Sequence, residues 1–213
     1  MAEKIGKRRV KMSKSGVEIV LSALRGFEEA KVSVEQYPTD SEVAAIVLWD
    51  AYMKGDIEGK VIVDLGSGTG ILGIGTMLLN AQKVYFVESD GCAMEIAKDN
   101  RDKVESEGLA EFCLMDVNEF DKKVDVVIMN PPFGVKSEHS DRVFLEKAFS
   151  IADVVYSFHK SETKGFIERF ANAKNFAISQ VTDFSFPLKA TMRFHEKKIK
   201  RINVSCFRLL KNK

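Results

Sequence analysis

Cysteine is scarce in this sequence, and what there is does not pair. Cys92, Cys113 and Cys206 are odd in number, far apart and without a C-x-x-C spacing, which argues against a disulfide framework or a zinc site and leaves them as core or half-buried thiols. Histidine is equally sparse, and His139, His159 and His195 show no metal-ligand spacing. No run approaches the roughly 20 apolar residues of a membrane span. The basic opening MAEKIGKRRVKMSKSG lacks the apolar segment that follows in a secretory signal. Together these absences imply a cytoplasmic protein with no membrane partner. Internal repeats, low-complexity tracts and Pro/Gly/Ser-rich linkers are also missing. The 213 residues therefore read as one domain, 1–213, with 1–55 as an N-terminal helical extension.

Net charge is nearly absent too, at +1, but its distribution is uneven. Residues 1–14 hold six Lys/Arg against Glu3, and residues 187–213 hold nine against Glu196. That leaves 17 basic and 29 acidic residues between them. An acidic body with basic ends is the electrostatic outline of a polyanion binder. Frayed, solvated tails are the plainer alternative, weaker at the C-terminal end because apolar alternation continues through the charges.

What is present is a regular alternation of short apolar runs and helical stretches. KVIVDL (60–65), KVYFVE (83–88), EFCLMD (111–116), VDVVIM (124–129) and DVVYSF (153–158) read as strands. Helical spacing fills 71–80, 91–107, 141–152 and 161–173 between them. Such alternation predicts an α/β fold: a mostly parallel sheet with helices on both faces. Two further strands, 175–184 and 199–210, lack a helix-length connection and should close the seven-stranded sheet as a C-terminal antiparallel hairpin. Upstream, Val17, Val20, Leu21, Leu24 and Phe27 mark a helix over 14–30. A second begins near Thr39, where TDSE has capping-box spacing.

VDLGSGTGILGIG follows the first strand and opens a helix. Gly68, Gly70 and Gly73 fit the G-x-G-x-x-G pattern of dinucleotide sites, which alone would suggest a dehydrogenase. Asp64 and the glycines from Gly66 onward also form D-x-G-x-G-x-G, which resembles the first motif of class I methyltransferases that bind S-adenosylmethionine. A dinucleotide brings a pyrophosphate to a helix N-terminus, whereas S-adenosylmethionine brings an ammonium that a carboxylate at a strand end can hold. Glu88, ending the second strand, is placed to accept ribose hydroxyls from either cofactor. Asp116 is the natural partner of an adenine amine, with Val117 as backbone donor; a helix cap is the alternative role for Asp116.

NPPFG (130–134) directly follows the fourth strand, at the edge where ligands gather in doubly wound sheets. Pro131 and Pro132 lack N–H groups and fix φ, so they hold a short turn with outward carbonyls. A conjugated amino nitrogen about to be alkylated needs acceptors for its protons. The Asn130 side-chain oxygen and the Pro131 carbonyl supply two, and Phe133 offers a ring for a flat substrate.

On these residues the sequence resembles the [DNS]-P-P-[YFW] amino methyltransferases and, more closely, the methyltransferase-like protein 5 family, which modifies adenine N6 in small-subunit ribosomal RNA. The likeness spans most of the chain, through EQYPT (35–39), DLGSGTGILGIGT (64–76), VIMNPPFG (127–134), VYSFHKS (155–161) and FHEKK (194–198). It implies a Rossmann-like class I methyltransferase fold with S-adenosylmethionine as cofactor and RNA as partner. Gln36, Tyr37 and Thr39 would close over the cofactor, Asp64, Gly66, Gly68 and Glu88 would bind it, and Asn130 to Phe133 would hold the base. Ser67 and Thr69 stand where relatives often carry cysteines.

Eukaryotic relatives work with a small zinc-binding activator that extends the sheet at an edge strand, and EFCLMD would be that edge here. His159, Lys160, His195, Lys197 and Lys198 would face RNA phosphates or, failing that, serve as ordinary surface charge. The target would be single-stranded or looped, since a paired adenine must be flipped out. A DNA adenine or protein-glutamine methyltransferase would share the same site, and a non-catalytic nucleic-acid-binding module could keep the same fold.

Overall fold

The computed structural model describes residues 12–26, 39–132, 140–187 and 201–212. Helix α1 (Lys14–Ser22) starts where the Ser13 hydroxyl accepts the Gly16 N–H at 3.1 Å. Of the expected stripe, Val17 and Leu21 are buried, and Val20 and Leu24 pack at the margin. The helix stops at Ser22, short of the expected end, and Phe27 lies outside the described residues. Helix α2 (Ser41–Met53) is capped by Asp40, whose carboxylate accepts from Glu42 and Val43. The cap falls one residue later than the Thr39 of the TDSE reading, and the Thr39 hydroxyl accepts from Asn130 Nδ2.

The sheet is as expected: seven strands in the order β3-β2-β1-β4-β5-β7-β6. Strands β1 (Val61–Leu65), β2 (Lys83–Glu88), β3 (Leu109–Leu114), β4 (Val126–Met129) and β5 (Val154–Lys160) run parallel. Strands β6 (Phe176–Pro187) and β7 (Arg201–Lys211) are antiparallel, with β7 lying between β5 and β6. The crossovers are α3 (Ile71–Leu78), α4 (Gly91–Asp102), α5 (Ser140–Ile151) and α6 (Lys164–Ala173).

Period-two alternation splits the core between the two faces. Ile62, Val84, Phe86 and Ile128 meet α1, α2 and α3 on one side. Val63, Leu65, Val127, Met129 and Val155 meet α5 and α6 on the other. The N-terminal helices thus bury into the same core as α3 rather than standing apart from it.

Three boundaries moved for tertiary reasons. Strand β3 begins at Leu109 instead of 111: the bare backbone of Gly108 passes the Ala81 carbonyl, where a Cβ would sit 2.4 Å from the oxygen. Leu109 N–H then joins the ladder at once through Gln82 O, 3.0 Å. Helix α4 ends at Asp102 instead of 107 because Val104 turns into the core, with its carbonyl held by Arg101 at 3.0 Å. The first turn of the expected 161–173 helix is a 3₁₀ turn, Ser161–Thr163, before α6 begins. Of the thiols, Cys113 and Cys206 are buried, but Cys92 is exposed rather than half-buried, since it sits on the first turn of α4.

Candidate active site

The carboxyl end of β1 bends sharply at Gly66, whose N–H and that of Ser67 both donate to Val87 O, at 2.8 and 2.9 Å. Gly66 has φ +70°, a left-handed conformation that a side chain strains. A Cβ there would also lie 2.9 Å from the ring of Phe144. Nothing in the sequence flagged Phe144; it reaches this loop from α5, nearly eighty positions away.

Asp64, one residue before the end of β1, is 1% exposed. Its Oδ2 accepts the Gly73 N–H from α3 at 2.8 Å, while its Oδ1 is buried without a partner. Burial pushes this carboxyl up to about 7; the Gly73 N–H opposes the shift and the nearby Glu88 charge adds to it.

Glu88 closes the glycine loop from β2. Its Oε2 accepts Gly68 N–H at 2.9 Å, and its Oε1 accepts Ser89 and Asp90 N–H at 2.9 and 2.8 Å. Of about four lone-pair sites on a carboxylate, three are therefore taken, and the free one is on Oε2. Asp116 lies two residues past β3 and caps the 3₁₀ turn Val117–Glu119 by accepting Asn118 N–H at 2.8 Å. Its second oxygen is not used in that cap.

At the end of β4, Asn130 donates from Nδ2 to the Thr39 hydroxyl at 3.0 Å, and its Oδ1 is buried without a partner. Pro131 is buried and Pro132 half-buried beside it. Among the described residues, six buried side-chain polar atoms lack a partner, and three of them, Asp64 Oδ1, Ser67 Oγ and Asn130 Oδ1, stand at the carboxyl ends of β1 and β4. Those strands are neighbours in the sheet. Native proteins pair the great majority of such atoms, so three orphans in one place mark a ligand site.

Asn100, unflagged by the sequence reading, supports this crevice from below. It is fully buried, donates from Nδ2 to Thr69 O and Arg25 O at 3.0 and 2.9 Å, and accepts Arg25 N–H at 2.8 Å. A polar residue on the Ala93, Ala97 face of α4 was the available signal.

His159, read as a phosphate contact, is completely buried. Its ring lies 2.5 Å from Ser157 Oγ of the same strand through Nε2 and 3.2 Å from Asp141 Oδ2, at the start of α5, through Nδ1. Lys160 is half-buried at the end of β5. Gln36, Tyr37, Phe133, His195, Lys197 and Lys198 lie outside the described residues. The structure thus brings together Asp64, Gly66, Gly68 and Glu88 in one loop system and joins Thr39 to Asn130.

The family model for the methyltransferase small domain matches residues 42–152. A Danio rerio rRNA N(6)-adenosine-methyltransferase, METTL5, is 35% identical over 199 residues, covering 90% of this chain and 96% of its own. A crystal structure from Pyrococcus horikoshii, of a protein proposed to be an RNA methyltransferase, superposes with TM-score 0.84 at 42% identity over 94% of this chain and 98% of that one. The S-adenosylmethionine-bound magnesium protoporphyrin IX methyltransferase of Synechocystis PCC 6803 shares the fold, with TM-score 0.65 at 16% identity over 80% and 79% of the two chains.

Proposed function

We propose, because this chain belongs to the methyltransferase-like protein 5 family, that it methylates N6 of adenine in RNA with S-adenosylmethionine as methyl donor. The observation that carries this reading is the pair of orphaned acceptors, Asp64 Oδ1 and Asn130 Oδ1, on adjacent strands. A cofactor ammonium and a base amine both arrive with N–H groups to donate. When bound, S-adenosylmethionine supplies a methyl group carried on a sulfonium.

The residues of the chain then divide the work. Asp64 holds the ammonium through a charge-assisted bond, and the glycine backbone at Gly66 and Gly68 lets the ligand approach. The free lone pair of Glu88 takes one ribose hydroxyl, and a second contact requires Gly68 N–H to yield. Asp116 and the Val117 N–H take the adenine edge, with Gln36 and Tyr37 closing over the site. Asn130 Oδ1 and the Pro131 carbonyl accept the two protons of the substrate amine, which frees its lone pair from the ring and favours the pyramidal nitrogen. Prolines at 131 and 132 place no N–H donors there to compete. The nitrogen gains the methyl as the sulfonium becomes a neutral thioether, and its proton, acidic only once the nitrogen is alkylated, passes to water, so no strong base is needed. Phe133 stacks the base, an interaction worth about 1–3 kcal/mol where measured.

Basic sequence at both chain ends suits RNA phosphates, and we assign the target to small-subunit rRNA in a looped or single-stranded region. Among the described residues no helix is long and apolar enough to cross a membrane, and we place the protein in the cytoplasm. The open edge of β3 is where a small zinc-binding activator would add a strand.

Labelled S-adenosylmethionine with unmodified small-subunit rRNA should yield labelled N6-methyladenosine on nucleoside analysis. Asn130→Ala should keep cofactor affinity and slow transfer by about a hundredfold or more, the scale of losing one transition-state hydrogen-bond partner. An unchanged rate would sink the mechanism, and label appearing only in DNA or in protein glutamine would redirect the substrate.

A further inference from the structure

We infer that the first turns of α6 form a landing surface for unpaired RNA beside the target adenine, with Phe166 as the ring on which a base stacks and Lys164 and Arg169 as phosphate contacts. This rests on the reading of RNA as the substrate.

Helix α6 leaves the sheet at the carboxyl end of β5 through the turn Ser161–Thr163. Strand β5 lies beside β4, with Ser157 level with Met129, so α6 begins at the same edge of the sheet as Asn130. Five large apolar side chains are exposed among the described residues, and Phe166, at 36%, is the only aromatic one. A single exposed ring is ordinary on a protein surface, but this one is the outer end of a column. Phe166 stacks on Phe170 with 5.6 Å between centroids, Phe170 lies near-parallel to Phe149 of α5 at 6.1 Å, and Phe149 stacks on Phe176 of β6 at 4.2 Å. Phe176 is fully buried, so the column roots Phe166 in the core. A ring held in place in advance loses little freedom when a ligand stacks on it.

The charge around the ring has the sign that phosphates require. Residues 160–174 hold four Lys/Arg against Glu162 and Glu168, inside a body where acids outnumber bases. Lys164 is exposed in the first turn of α6. Arg169, three positions from Phe166 and therefore on its side of the helix, folds its guanidinium back to 3.4 Å from where a Cβ on Gly165 would stand. Neither cation forms an ion pair among the described residues. Glu168, two positions from Phe166, does not share its side. Glu146 is occupied, bridging Arg142 at 3.3 Å and Lys174 at 3.5 Å, and both of those cations lie over Phe170. An apolar protein partner would cover the ring and strand the cations, whereas single-stranded RNA brings a base face for one and phosphates for the others.

The test is fluorescence anisotropy of the whole chain with a labelled single-stranded RNA and with the same RNA annealed to its complement. Phe166→Leu should weaken single-strand binding about tenfold, within the range measured for losing one stacked base, and leave duplex binding unchanged, because a paired base offers no free face. Phe166→Trp should bind at least as tightly as the parent. Cofactor Kd and melting temperature should stay at parental values in both. Lys164→Gln with Arg169→Gln should flatten the slope of log Kd against log salt by about 1.4, at about 0.7 per phosphate on a single strand, while Phe166→Leu keeps the parental slope.

Single-strand affinity untouched by Phe166→Leu would overturn the proposal, and so would an equal loss on the duplex or a parental salt slope in the double charge variant. Full RNA affinity with an altered oligomeric state in sedimentation would overturn it in favour of a contact between copies of the chain. A parent that binds neither form of RNA would instead remove the substrate reading on which the proposal stands.

Discussion

At the scale of single residues, the buried carboxyl of Asp64 makes the site sensitive to pH near neutrality. Burial raises its pKa to about 7 in the folded protein, while in the unfolded chain it titrates near the ordinary value of 3.8. Between those limits the fold holds a proton that the unfolded chain has released. Stability therefore falls as pH rises from the lower value through the upper one. On the proposed reading, a bound ammonium would offset that cost by pairing with the ionised form. Cofactor Kd should then rise about tenfold for each pH unit below 7, since each pKa unit is a factor of ten, and level off above it. Calorimetry between about pH 6 and 8 reads this directly. Asp64→Asn should flatten the profile, weaken binding and raise the melting temperature of the cofactor-free protein at about pH 8. A pH-independent Kd in the parent would exclude Asp64 from the ammonium site. The placement of Asp64, Glu88 and Asn130 at strand ends was legible in the sequence because each is fixed by a short local motif there. The bond from Thr39 to Asn130, the ring of Phe144 on Gly66 and the burial of His159 were not, because each depends on a contact between distant segments.

Among the elements, legibility followed how far local pattern alone decides the ends. Strand β2 has the bounds its alternation predicts, and β1 differs by one residue. Strand β3 slid by two because the backbone contact at Gly108 sets where it can start. It is also the exposed edge of the sheet, with Leu109 and Leu114 at its ends 65% and 61% exposed. In its middle, Glu111 bridges Lys83 at 2.7 Å and Lys122 at 2.5 Å, and both ammonium groups sit over the Tyr85 ring. Those charges discourage indiscriminate edge pairing, while the two leucines leave large apolar side chains exposed at either end of the strand. Leu109→Lys with Leu114→Lys should leave unfolding free energy within about 0.5 kcal/mol, as for surface changes generally. If the proposed activator docks here, the same pair should abolish its stimulation of methyl transfer without changing cofactor affinity. Full stimulation in the double variant would move the activator elsewhere.

For the whole molecule, the order in which the strands leave the ribosome differs from the order in which they lie. Strand β6 touches the sheet only through β7, which is made after it. Until residues 201–211 emerge, β5 keeps an unpaired backbone edge and β6 lacks the strand it pairs with, although Phe176 can still stack on Phe149 of α5. A nascent chain halted near residue 190 should therefore be bound by chaperones or aggregate, whereas one released after 211 should fold, and limited proteolysis of stalled chains would show the step. Partial protection of β5 and β6 before β7 appears would mean that the sheet closes by another route. Placing the last-made strand inside the sheet makes closure of the sheet a late event of synthesis, so an incomplete translation product would lack the completed enzyme fold.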